Sequence, residues 1–206
     1  GERVLDFTAG TGLDALFLAA QGIQVSVIDV SSRMIAELQK NASQCGLHIE
    51  SCVLPAEWLD EPEGYYCGAI STFAGLNTIQ DLPRLAAALA HSLCPHGRVI
   101  LHGLNEFCLW QAAANLLQHR GNRNGILRIG EESVQHRLYN PSALWRQAFA
   151  PYFRVHHMYA LSVIAAPPLL KRFPRIATPV FRVDRFLGRI FPSAGDFFVL
   201  DLERRS

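Results

Sequence analysis

Asp6, Gly10, Gly12 and Asp29 have the residue types and spacing to do chemistry together. Asp6 lies in the apolar run Val4-Leu5-Asp6-Phe7, the two glycines follow, and a helical pattern from Leu13 to Gln21 begins at once. A strand that passes through glycines into a helix points backbone N–H groups and a helix N-terminus at one spot. Glycine lets a ligand come close to the backbone, where a Cβ would block it. Asp29 ends the next β-branched run and is placed to accept hydrogen bonds from ribose hydroxyls. Val30 and Met34 then offer apolar surface to an adenine ring. The ligand implied contains adenosine and sits at the carboxyl edge of the first two strands. Gly10 to Ala15 also satisfies a dinucleotide fingerprint, so an NAD(P)-dependent oxidoreductase stays open. Asp6 weighs against it: a carboxylate beside the cradle repels a pyrophosphate and favours an ammonium. No tyrosine has a lysine four residues on, as a nicotinamide enzyme with a Tyr-Lys pair would need.

The elements that must position these residues alternate strand and helix, which implies an α/β fold with a mostly parallel sheet. Strands are expected at Val4–Phe7, Val25–Asp29, Ile49–Val53, Gly68–Thr72 and Arg98–His102. Helices are expected at Leu13–Gln21, Arg33–Cys45 and Leu82–Leu93, the last stopped by Cys94-Pro95-His96-Gly97. Beyond this come a helix over Phe107–His119, a loop over Gly121–Gly130, and a helix from Asn140-Pro141-Ser142 to Phe149. Two more strands follow, Arg154–Ile164 and Phe197–Leu202. The fold expected is a three-layer sandwich, helices on both faces of a seven-stranded sheet. Residues 1–206 form one domain in this scheme, with 1–104 as the cofactor half and 105–206 as the acceptor half. An upstream segment is expected, because the chain opens directly on a strand.

VLDFTAGTG followed by VSVIDVSSRMI resembles the first two motifs of class I S-adenosylmethionine-dependent methyltransferases of the small-molecule type. VLPAEWLD and AISTFAGLNTIQDLPRLAAALAHSLCPHGRVIL resemble the later blocks, so the likeness covers Gly1 to Leu104 in order. It implies S-adenosylmethionine as cofactor, a small methyl acceptor and an antiparallel last strand. Carried over, Asp6 contacts the methionine amino group, and Ala9, Gly10 and Gly12 line the methionine and ribose. Asp29 holds the ribose, Val30 and Met34 flank the adenine, Ala56 and Glu57 lie at its edge, and Ser71 sits near the methionine carboxylate. Thr8 stands where the family usually has its first glycine, and Pro55 where an aspartate often reads the adenine. These departures keep a non-catalytic, methyltransferase-like partner subunit in view.

On the acceptor side, His102 and His136 are candidate bases, since imidazole titrates near neutral pH. In the pair His156-His157 only one side chain of a regular strand can face inward. Asn77 and Asn105 follow the fourth and fifth strands, at the edge where such sheets bind ligands. The connection 165–195 is long for a mere turn. Its residues 171–189 hold six basic side chains against Asp184 alone. It can be a solvated cover, a cap whose Phe173 and Phe181 touch the acceptor, or a peripheral membrane contact. The formal net charge of +1 disfavours nucleic acid as a partner. Five scattered cysteines without a CxxC pair indicate neither zinc nor disulfides, and imply a reducing, cytoplasmic setting. No metal site is expected.

Overall fold

The computed structural model describes residues 2–118, 126–129 and 132–206. The apolar runs of the first half become β1 (Arg3–Asp6), β2 (Gln24–Asp29), β3 (Glu50–Val53), β4 (Tyr66–Ser71) and β5 (Leu93–Leu104). The short strands β6 (Ile126–Ile129) and β7 (Glu132–Gln135) pair only with each other. β8 (Phe153–Leu161) and β9 (Phe197–Arg204) complete a seven-stranded sheet ordered β3-β2-β1-β4-β5-β9-β8. The first five of these strands run parallel, and β9 lies antiparallel to both neighbours. Strand order reverses between β1 and β4. Such a switch point opens a crevice at the carboxyl ends of the strands.

The helices are α1 (Leu13–Ala20), α2 (Ser32–Gln44), α3 (Leu82–Ser92), α4 (Leu109–Gln118), α5 (Pro141–Leu144), α6 (Pro167–Arg172) and α7 (Ala177–Ile190). Ser31 caps α2 by accepting the Met34 N–H, and Asp81 caps α3 by accepting that of Arg84. On one face of the sheet Val25 and Val27 pack with Ala15, Ile35 and Leu38. On the other, Leu5, Phe7, Ala69 and Leu101 pack with Leu85 and Phe149. Full burial of side chains such as Phe149 and Phe153 contributes roughly 1.5–3 kcal/mol each. Among the described residues no helix is long and apolar enough to cross a membrane.

The structure differs from the sequence expectations in four places. The turn at Cys94–Gly97 is an excursion within β5, between the pairs Tyr66↔Leu93 and Gly68↔Arg98, with His96 left-handed at φ 62. The helix begun by Asn140 changes to a π-helix over Trp145–Phe149. Part of the expected Gly121–Gly130 loop is β6, while 121–125 and 130 lie outside the described residues, as does His119. The connection 165–195 is mostly helical, as α6, a 3-10 turn and α7.

A further correction concerns His156-His157. Pairing steps from Val155↔Leu202 to His157↔Asp201, so His156 is an extra residue in β8. Such a bulge breaks the in-out alternation. The two rings lie 4.3 Å apart and both are exposed.

Candidate functional site

The site is built where β1, β2 and β4 end and the loops beyond them meet. Gly10 and Gly12 adopt left-handed φ of 54° and 83°, which favours glycine. Their surroundings differ. A Cβ on Gly12 would lie 2.6 Å from Leu38 atoms of α2, so this glycine serves helix packing. A Cβ on Gly10 would meet nothing within 4 Å, leaving open space over the loop for a ligand.

Asp29 shapes that loop directly. Its carboxylate accepts the Gly10 N–H and the Ser31 N–H, each at 2.9 Å. It therefore ties the glycine turn to the start of α2. Beside it Val30 is 66% exposed and Met34 half-buried, apolar surface without protein cover. Ala56 is buried in the core, which leaves Glu57, half-buried in the following 3-10 turn, as the side chain at that edge.

Asp6 is buried beneath the loop and accepts a long hydrogen bond from the Thr8 N–H, 3.5 Å. Burial pushes its carboxyl up to about 7, and the carboxylates of Asp14 and Asp29 push in the same direction. Three acids thus converge on one end of the cleft. Asp14 also accepts the Thr72 hydroxyl at 2.5 Å. This constellation suits a cationic ligand group and disfavours a pyrophosphate.

The departure at Thr8 is accommodated by its neighbours. Its hydroxyl hydrogen-bonds Ser71, which is fully buried, at 2.7 Å. Its side chain fills the space above Gly75, where a Cβ would lie 2.3 Å from Thr8 Oγ1. Ser71 therefore spends its hydroxyl on Thr8. In the same loop Phe73 and Ala74 have positive φ, 50° and 63°, and Phe73 is 72% exposed. Such strain gathers at ligand-binding loops.

His102 stacks on Phe197, with ring centroids 5.0 Å apart, and its Nδ1 accepts the Ala74 N–H at 3.3 Å. Burial lowers its pKa, so the neutral ring carries its proton on Nε2. In that tautomer Nε2 carries the hydrogen and Nδ1 is occupied by the Ala74 N–H.

Asn77 is spent on structure. Its Oδ1 accepts the Leu104 N–H at 2.8 Å, and its Nδ2 donates to the carbonyls of Leu104 and Arg137. It splices the end of β5 to the segment before α5, with no free atom for the acceptor assigned to it. Asn105 keeps an opportunity. Among the described residues, buried Asn105 Oδ1, Trp110 Nε1 and His136 Nδ1 have no hydrogen-bond partner, while the Tyr139 hydroxyl interacts with Arg137. Asn105 and Tyr139 bridge directly beyond β5. An unpaired buried group costs about 1–3 kcal/mol, so Asn105 Oδ1 beyond the end of β5 suits a polar ligand group.

Phe173 and Phe181, expected at the acceptor, are exposed by 48% and 55%, in a connection that leaves and rejoins the sheet at its carboxyl edge. They flank the start of α7, which packs on β8, the outermost strand. The sequence expectation of no metal meets one exception: ligand atoms of His156, His157 and Asp201 lie within 4.8 Å of one another. The Asp201 carboxylate is already paired with Arg98. The residues that sequence reasoning missed are Asp14, Thr72 and Tyr139, whose partners are distant in the chain.

Residues 4–97 match the family model of the methyltransferase domain. A ubiquinone biosynthesis O-methyltransferase of Xylella fastidiosa (strain 9a5c) is 30% identical over 106 residues, 52% of this chain and 43% of that protein. The matched stretch thus spans less than half the length of that relative. A solved S-adenosylmethionine dependent methyltransferase from Mesorhizobium loti is similar over 99% of this chain and 91% of its own, at 17% identity and TM-score 0.65. A Methanosarcina mazei SAM-dependent methyltransferase matches over 99% and 92%, at 18% identity and TM-score 0.62. These structures share the fold. The stretch from Val4 to Gly97 is thus similar to the methyltransferase domain, and the sheet as a whole has the fold of solved S-adenosylmethionine-dependent methyltransferases.

Proposed function

We propose that the chain transfers a methyl group from S-adenosylmethionine to a hydroxyl oxygen of a small, largely apolar acceptor. The observation that carries this reading is Asp6, a buried carboxyl raised to about 7 beside Asp14 and Asp29. An ammonium or sulfonium nearby offsets that unfavourable concentration of negative charge, whereas a dinucleotide adds to it. The open space over Gly10 and the bare surface of Val30 fit the rest of an adenosine-containing donor. When bound, S-adenosylmethionine supplies an electrophilic methyl group. The chain's own residues bind and align. Asp29 and the Gly10 loop hold one reactant, and the unpaired polar atoms of Asn105 and Trp110 orient the acceptor oxygen. Alignment of this kind supplies much of the rate in a displacement reaction. His102, with its proton on Nε2, donates to the acceptor or the donor carboxylate, and the acceptor's proton leaves to solvent.

The oxygen as target follows the name of the relatives, O-methyltransferases of ubiquinone biosynthesis. A cytoplasmic location belongs to the same proposal and suits five free cysteines. The deciding experiment is calorimetric titration with S-adenosylhomocysteine and with NAD in parallel. Tighter binding of S-adenosylhomocysteine is expected. Tighter binding of NAD would overturn the methyltransferase reading in favour of an oxidoreductase.

A further inference from the structure

We infer that the outward face of α7 docks on an anionic lipid membrane. The inner side of this helix is accounted for. Asp184 and Gly188 are buried against the end of β8, where Asp184 accepts the N–H groups of Ser162, Ile164 and Ala165. Gly188 lies so close to Ala160 O that an added Cβ would stand 2.1 Å from it. The opposite side should be polar in a helix that only covers a sheet. It is not.

Pro179, Val183, Phe186 and Ile190 recur at helical spacing along that side. All are exposed, Val183 by 49%, Phe186 by 64% and Ile190 by 51%. Arg182, Arg185 and Arg189 form a parallel row beside them, also exposed. Lys171, Arg172 and Arg175 extend the positive charge towards α6. Asp184, the one acid of the segment, is buried and turned to the backbone. The exposed charge of this segment is therefore entirely positive.

An apolar stripe edged by guanidinium groups complements acyl chains beneath anionic headgroups. A second copy of the chain is a poorer occupant. A two-fold contact sets the same patch on both molecules, which brings the arginine rows together. This docking inference rests on the surface alone and stands whether or not the methyl-transfer reading holds.

The test is sedimentation of the chain with vesicles of phosphatidylcholine alone and of phosphatidylcholine mixed with phosphatidylglycerol. Binding to the anionic vesicles and not to the neutral ones is expected. Each basic residue near such a surface is worth roughly fivefold in affinity, so reversal of Arg182, Arg185 and Arg189 to glutamate should weaken binding at least a hundredfold. The pair Phe186→Ser and Ile190→Ser should also weaken it. Both variants should keep the wild-type melting temperature within a few degrees. Failure of the wild-type chain to bind anionic vesicles, or equal binding to both kinds, overturns the inference. Concentration-dependent dimers that Phe186→Ser and Ile190→Ser abolish would identify a second copy as the occupant and overturn it as well.

Discussion

Because burial holds Asp6 at about 7, its carboxyl is divided between two forms at neutral pH. Only the ionised form pairs with a cation, so affinity for S-adenosylhomocysteine, which keeps the ammonium, should rise as pH increases through 7. Asp6→Asn should flatten that profile and cost roughly tenfold or more at pH 8, in line with about 1.5–3 kcal/mol for a charged hydrogen bond. Titrations across the range check both outcomes. The free protein should respond in the opposite sense. A folded-state value raised from 3.8 to about 7 makes the group's contribution to stability largest below 3.8 and lost by about 7. Thermal melts of wild type and Asp6→Asn should therefore diverge between those limits, the variant gaining relative stability as pH rises. For Asp29, the sequence predicts only a ribose ligand. Its bonds to Gly10 and Ser31 change that expectation. Asp29→Ala should lower both cofactor affinity and melting temperature, and a variant unchanged in both would show Asp29 to be a bystander. Asp6, Gly10 and Asp29 were legible in the sequence because strand, turn and helix place them locally. Thr8 and Asp14 were not, because Ser71 and Thr72, which explain them, lie 63 and 58 residues away.

Among the elements, the loops after β1 and β4 interlock through Thr8 and Gly75. Gly75→Ala would drive a methyl group into Thr8 and should destabilise by about 1–3 kcal/mol. Thr8→Gly should relieve most of that cost, and denaturant titration of the double variant measures the coupling. Non-additivity is the expected result; simple addition of the two effects would show the loops to be independent. The same logic applies to Gly188→Ala, whose Cβ faces the rigid Ala160 carbonyl at 2.1 Å. The parallel strands were legible because β-branched runs alternate with capped helices. α6 and α7 were not, because their prolines read as breaks. The structure puts Pro167 and Pro168 in the first turn of α6, Pro174 at the start of a 3-10 turn and Pro179 near the start of α7, where a missing N–H costs little. The bulge in β8 also escaped notice, since one extra residue leaves no mark on the hydrophobic pattern.

Across the whole molecule, the net charge of +1 hides a separation into an acidic crevice around Asp6, Asp14 and Asp29 and a basic α7. The chain enters and leaves the α6–α7 connection at the carboxyl edge, since Leu161 pairs with Phe197. The connection that carries α7 therefore begins and ends at the edge of the sheet where the crevice opens. Raising salt towards 1 M, where screening shortens to about 3 Å, should strip the chain from anionic vesicles. S-adenosylhomocysteine affinity, resting on buried groups, should change far less under the same titration. β8 is one of the two outer strands, and its free edge is the natural place for another chain to add a strand. The extra residue at His156 puts a kink in that edge, Arg154 and the two histidines crowd it with polar groups, and α7 shields the stretch near Ala160. A straight partner strand finds no continuous ladder to join. The irregularity that sets two imidazoles side by side thus keeps the sheet of one molecule from growing into a filament with the next.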